Sequence, residues 1–363
     1  MNERQVSGQR VGIAMLADYP ERIDVRSPAE FARDHIPGAL NHPVLGDLER
    51  SRIGTLYASS PFEARRMGAA LVARNIARTL ESALCDKSRE WRPLVYCWRG
   101  GQRSRALVHV LNEIGWRARQ LDGGYRAYRR DVVARLASLP ERFDYVVICG
   151  LTGSGKSRLL SALATAGAQT LDLEGLARHR GSLLGDWPNA PQPSQKWFES
   201  CLLASLEAFH SDRPVFVESE SRRIGALQLP DLLLSHMHRG RRLTLVTPLE
   251  QRVQLLKQDY GHLVGDAVRF RERLAPLAPL YGKAALARWE ALAASNDWDT
   301  LVVELLERHY DPMYSRSLGR FAPADDAMCQ VEVRDVSAEG FSTLARELLS
   351  GFEARELLTT SAS

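Results

Sequence analysis

Residues 150–157, GLTGSGKS, constrain this chain more than any other stretch. They follow the apolar run Tyr145-Val146-Val147-Ile148-Cys149 and precede RLLSALATAG, so the loop lies where a strand turns into a helix. That setting predicts an anion cradle. Glycines at 150, 153 and 155 let the backbone curl until successive N–H groups converge, and the helix behind them adds the positive end of its dipole. Lys156 supplies a point charge, and Ser157 offers a hydroxyl to Mg²⁺, the usual duty of the last position in such a loop. The expected phosphate-binding set is therefore Gly150, Gly153, Ser154, Gly155, Lys156 and Ser157. The loop reads phosphate and leaves open the group attached to it.

A length of 363 residues implies two domains, and 45% hydrophobic with 25% charged residues implies that both have cores. Ser138-Leu139-Pro140-Glu141 reads as the linker, which puts the domains at 1–138 and 139–363. The five cysteines are odd in number and form no CxxC pair, which argues against a disulfide framework or a zinc site. No basic-then-apolar leader and no apolar run of membrane-spanning length occurs, so the expected location is the cytoplasm, with no membrane partner. A net charge of +4 permits a polyanionic partner without demonstrating one.

In the first domain, RIDVR at 22–26 reads as a short strand, and Ser27 as the cap of a helix opening at Pro28 with Glu30 in its first turn. His35-Ile36-Pro37-Gly38-Ala39 ends that helix and leads to another strand edge. Asp24, Arg26, Glu30, His35 to Ala39 and Asn41 together resemble the opening signature of rhodanese-like domains. Of these, Asp24, Arg26 and His35 read as structural partners. Residues 44–92 form a helical excursion that packs on the sheet or covers the site. Pro93 to Tyr96 then make a buried strand ending at Cys97, followed by CWRGGQRS and the helix RALVHVLNEIG. A cysteine there lies in the field of backbone N–H groups and a helix N-terminus, which favours thiolate. Arg99 and Arg103 add positive charge, so the expected catalytic set is Cys97, Arg99 and Arg103. The plainer alternative is that Cys97 is a small buried apolar residue. Leu121 to Tyr125, LDGGY, closes the domain as rhodanese-like chains do. Five residues separate Cys97 from Arg103, a spacing similar to that of dual-specificity phosphatases of this fold and one longer than in common sulfurtransferases. A phosphatase of rhodanese fold therefore stays open.

In the second domain, Leu171 to Leu173 read as a strand, Gln195 to His210 as a helix and Pro214 to Glu218 as a further strand running into ESESRR. Glu218 and Glu220 stand where acidic residues of P-loop enzymes lie near a metal or a catalytic water. Strands at 243–247 and 331–334 and helices through 266–309 complete an alternation that implies a parallel sheet with helices on both faces. No NKxD guanine motif and no DDxxD motif occurs. The fold class expected is thus a rhodanese-like α/β domain followed by a P-loop NTPase-like α/β domain with a parallel sheet.

This pairing, with LDLEGLARHRGS and VFVESESRRIG in place, resembles the bacterial tRNA 2-selenouridine synthases over nearly the whole chain. The resemblance implies a transferase that acts on tRNA through an anticodon stem-loop bearing 2-thiouridine. Its co-substrates would be geranyl diphosphate, which S-alkylates the base, and selenophosphate, whose selenium replaces the geranylthio group. The enzyme that makes selenophosphate is a further partner the resemblance allows. Arg222 and Arg223 are the expected RNA contacts. A P-loop kinase with an accessory rhodanese module, and a noncatalytic tRNA-binding protein, are the rival readings.

Overall fold

The computed structural model describes residues 10–182, 184–188, 190–264, 266–318 and 328–360. They fall into two compact units, one running to Leu136 and including Pro193–Ala204, the other comprising Ala137–Gln192 and the chain from Ser205 onward. Both units are α/β, as expected.

The first unit is built on five short strands, β1 (Arg10–Val11), β2 (Arg22–Asp24), β3 (Leu40–Asn41), β4 (Leu94–Tyr96) and β5 (Arg119–Leu121), in the order β1-β5-β4-β2-β3. Every neighbouring pair is parallel, and parallel neighbours need crossover segments. Helices Pro28–Arg33, Asp47–Ser59, Pro61–Glu81, Gln102–Ile114 and Gly124–Leu136 lie among those crossovers or follow the last strand. The excursion at 44–92 packs on the sheet, since Ile76 and Leu84 share a core with Ile23, Val95 and Leu107.

A polar network runs through this apolar core. Arg26, 1% exposed, donates from Nε and Nη2 to the carboxylate of Asp24, with Nη2–Oδ2 at 2.6 Å. The same Nη2 reaches the carbonyl of Asp34 at 2.6 Å, and the guanidinium lies 4.0 Å from the Tyr125 ring centroid. Asp34, also 1% exposed, accepts from Tyr125 Oη at 2.5 Å and from Ser200 Oγ at 3.0 Å. Ser200 belongs to the helix Gln195–Glu207, whose residues up to Ala204 join this unit although they follow the P-loop in sequence. Arg129 pairs with Glu199 of that helix, and the His35 ring stacks between Phe31 at 3.7 Å and Trp197 at 4.0 Å. Asp24, Arg26 and His35 are thus held as structural partners.

In the second unit, β6 (Tyr145–Cys149), β7 (Gln169–Leu171), β8 (Val215–Glu218), β11 (Arg241–Val246) and β12 (Met328–Glu332) form a parallel sheet in the order β12-β11-β6-β8-β7. A separate antiparallel hairpin pairs β9 (Arg223–Ile224) with β10 (Leu227–Gln228). The strand expected at 171–173 forms two residues earlier. Asp172 is the cap of the helix Leu173–Ala177, its carboxylate accepting the Gly175 N–H at 2.8 Å, so the chain has already turned. The last strand likewise starts at Met328 rather than Val331. Beyond the sheet, Phe270, Leu274, Trp289, Trp298 and Leu301 form a second apolar cluster among helices, which accounts for the helical span from 266 onward. No described helix is long and apolar enough to cross a membrane.

The network around Asp34 sets a stability expectation. Asp34→Ala strips the buried Tyr125 and Ser200 hydroxyls of their acceptor and is expected to cost about 3 kcal/mol, whereas Asp34→Asn keeps an amide oxygen and costs less. Thermal melting of the full chain checks this, and an Asp34→Ala protein that melts like wild type would show that the network carries no stability.

Candidate active site

The phosphate-binding loop occupies the C-terminal end of β6, which lies between β8 on one side and β11 on the other. The chain passes from β6 to β7 and β8 on one flank and then to β11 on the other, so the loop sits at a topological switch point, where α/β sheets open a crevice. Gly153 and Gly155 adopt φ of +79° and +87°, and a Cβ at Gly155 would come within 2.3 Å of the Phe341 ring. Only glycine satisfies both the backbone and the packing there. The Gly150 N–H donates to Tyr314 Oη at 2.9 Å, so Gly150 shapes the entry to the loop rather than facing an anion with its own N–H. Ser154 is 1% exposed and its Oγ has no hydrogen-bond partner. The helix Lys156–Thr165 follows, and Lys156 Nζ lies 3.0 Å from the Gly150 carbonyl and 5.4 Å from the Tyr314 ring centroid.

Beside this lysine the structure gathers three carboxylates. Glu218 ends β8, Glu220 follows two residues later, and Glu174 comes from the first turn of the helix after β7. Each offers an oxygen within 4.8 Å of the others. Burial, followed by the negative charge of a neighbouring glutamate, pushes each of the three up to about 8, against the pull of Lys156. Glu218 is 2% exposed, and its Oε1 has no hydrogen-bond partner. Ser157 Oγ is 3.4 Å from Glu174 Oε2. Sequence reasoning named Glu218, Glu220 and Ser157 but passed over Glu174. Its position in the first turn after β7, a strand next to β8, was the available signal.

These groups open onto a cavity of about 1060 Å³ within the second unit. The loop, the three glutamates, Arg180, Arg222 and Arg223 line it together with Leu277, Leu280, Met313, Tyr310 and Tyr314. Leu280 and Met313 are more than half exposed. Arg222 and Arg223 are exposed at this cavity, with Arg222 Nη2 2.9 Å from Asp231 Oδ1. The arrangement can take a molecule with an anionic head and an apolar body.

The second candidate centre belongs to the first unit. Cys97, 3% exposed, follows β4, and its Sγ accepts from the Gly101 N–H and from Ser104 Oγ, both at 3.2 Å. Gln120 Nε2 donates to Ser104 Oγ at 2.7 Å, which leaves the serine proton free to point at sulfur. Ser104 and Gln120 were not singled out from sequence, because a serine inside a loop motif and a glutamine on β5 acquire meaning only when the strands align. Arg103 is ion-paired beside the loop. Its Nη1 donates to Glu30 at 2.9 Å, and Glu30 also takes Arg50, so the two guanidiniums share one carboxylate and the trio keeps a net positive charge beside the loop. Arg99 is exposed and makes no ion pair among the described residues. The sulfur is thus held by hydrogen bonds, with a free cation at the loop surface.

Comparison with known proteins agrees with both halves. Residues 13–131 match the family described as rhodanese-like domain, and residues 143–275 match that described as tRNA 2-selenouridine synthase AAA domain. A tRNA 2-selenouridine synthase of Nitrosomonas europaea is 36% identical over 76% of this chain and 73% of its own length. Those of Marinobacter nauticus and Salmonella agona are each 33% identical, over 84% and 89% of this chain and 89% and 95% of their own lengths. On this similarity across both units, the chain belongs to the tRNA 2-selenouridine synthase family.

Proposed function

We propose that this chain is a transferase that converts 2-thiouridine at the wobble position of tRNA to 2-selenouridine, in the cytoplasm and in two stages. The observation that carries the reading is the composition of the large cavity, whose lining combines a cationic, N–H-rich loop with apolar side chains, Leu280 and Met313 among them exposed. Geranyl diphosphate has that polarity. Its diphosphate fits Gly153 to Ser157, and its chain fits against Leu277, Leu280 and Met313. In the first stage the uridine sulfur bonds to the allylic carbon as the bond to diphosphate breaks, and the uridine loses its N3 proton. Negative charge grows on the departing oxygen, where Lys156 and the loop N–H groups are most effective. In the second stage the selenium of selenophosphate attacks C2 of the base, the geranylthiolate leaves, and the Cys97 thiolate takes the phosphoryl group from selenium, after which water releases it as phosphate and restores the thiolate. The loop at Cys97, with Arg99 at its surface, suits that anionic donor.

Ser157, Glu174, Glu218 and Glu220 would hold Mg²⁺, and the buried, unpaired Oε1 of Glu218 fits a cation better than it fits an empty site. Bound there, the ion would offset diphosphate charge. Arg222 and Arg223 are the proposed contacts to RNA phosphates. A P-loop kinase with an accessory rhodanese module would instead turn over ATP without tRNA.

The two stages separate by mutation. Cys97→Ser is expected to keep geranylation and lose selenium incorporation, since a hydroxyl there cannot ionise near neutral pH. Lys156→Ala is expected to lose geranylation and to recover product when given pre-geranylated RNA. Mass spectrometry of digested tRNA reads both, and normal 2-selenouridine from the Cys97→Ser protein would sink the assignment of that residue.

The glutamate cluster predicts a pH-dependent cation effect. With folded values near 8, above the ordinary carboxylate value, the cluster holds protons that an unfolded chain would have released, so without a cation stability falls as pH rises from about 4.5 through 8. Mg²⁺ must displace those protons. The rise in melting temperature caused by Mg²⁺ should therefore be larger at pH 8.5 than at pH 6.5, and an increment independent of pH would remove the cluster as the cation site.

For RNA, affinity for an anticodon stem-loop should fall as salt rises, as phosphate neutralisation requires. Charge reversal at Arg222 and Arg223 should weaken RNA binding more than geranyl diphosphate binding. A double Glu variant that binds RNA like wild type excludes this surface.

A further inference from the structure

The phosphate-binding loop is fastened at two points to one helix that follows it by about 150 residues. A π-helical turn, Leu306–Tyr310, runs into the helix Asp311–Leu318, and such turns recur at functional sites. Asp311 and Tyr314 are three residues apart and so share a face. Asp311 accepts from Arg252 Nη1 and Nη2 at 3.0 and 2.6 Å, and Arg252 Nε donates to the Thr152 carbonyl inside the loop at 2.9 Å. Arg252 is 4% exposed, so this link is sheltered from water. Tyr314 Oη accepts the Gly150 N–H at 2.9 Å and lies 2.9 Å from Ser219 Oγ, next to Glu218. Its ring faces Lys156 Nζ at 5.4 Å.

We propose that Tyr314 is a positioning residue for the phosphate site, and that with Asp311 it makes the helix 311–318 part of the P-loop. One hydroxyl spans the start of the loop and the end of β8, the two segments that must hold their spacing for loop N–H groups and glutamates to serve a single ligand. Gly150 cannot swing toward an anion while its N–H is engaged, and the Ser154 N–H is likewise directed at the Leu151 carbonyl at 3.1 Å, so the loop's own bonds limit which donors face an anion. Met313 of the same helix also lines the cavity. The helix therefore both lines the cavity and holds the loop, so an apolar chain seated against Met313 can be felt at the loop, a coupling that rests on the proposed allylic diphosphate substrate.

Tyr314→Phe keeps the ring over Lys156 and deletes only the hydroxyl, and Ser219→Ala removes a second group that the hydroxyl meets. Titration calorimetry of full-length protein with inorganic pyrophosphate is expected to show binding about tenfold weaker in Tyr314→Phe, the loss of one ordinary hydrogen bond. Ser219→Ala should show a smaller loss in the same direction. Both should melt close to wild type, which separates positioning from general destabilisation. Pyrophosphate affinities within about twofold of wild type in the two variants overturn the proposal. Should Tyr314→Phe fail to fold, an unchanged affinity in Ser219→Ala overturns it alone. Weaker pyrophosphate binding in Tyr314→Phe, in a protein whose wild type prefers pyrophosphate to geranyl diphosphate, supports the positioning role and removes the isoprenoid reading instead.

Discussion

Three carboxylates, Glu174, Glu218 and Glu220, face one ammonium group, Lys156, in a largely buried setting, and much of the second unit serves to hold that imbalance. Burying like charges together is unfavourable unless they stay protonated or meet a cation. The sheet enforces the encounter by placing β6 beside β8, so that the loop after one strand and the acidic end of the other cannot separate. Arg252 and Asp311 fasten the loop from behind, and Tyr314 fastens its first N–H. A site kept in this condition is ready for a ligand that brings both negative phosphate and a compensating ion, which is the character of an allylic diphosphate in the proposed reaction.

The first unit handles charge in the opposite way. Its buried ions are satisfied within the protein: Arg26 by Asp24 and the Asp34 carbonyl, and Asp34 by two hydroxyls. Even Arg103, beside the reactive loop, is paired with Glu30. What remains at this loop for the proposed second stage is Cys97, with two hydrogen bonds to its sulfur, and the exposed Arg99. This economy favours a small anionic donor approaching a sulfur already held by donors over a phosphate monoester clasped by a deep arginine.

Much of the fold was legible because local chemistry and long-range packing agree. GLTGSGKS between an apolar run and a helix can hardly be anything but a strand–loop–helix phosphate site, since positive φ at Gly153 and Gly155 and the helix dipole are properties of the segment itself. The same holds for Ser27, Pro28 and Glu30 at a helix start and for Cys97 after a buried strand. Tertiary structure alone decided the rest. Glu174 joins Glu218 and Glu220 because β7 lies next to β8, an adjacency no local pattern encodes. Gln120 orients Ser104 because β5 pairs with β4, and Ser200 reaches Asp34 because a helix from beyond the P-loop packs with the first unit. Tyr314 meets Gly150 across 164 positions. Backbone conformation is set by neighbours in sequence, whereas the partner of a buried polar group is whichever residue the packed sheet brings within hydrogen-bond reach.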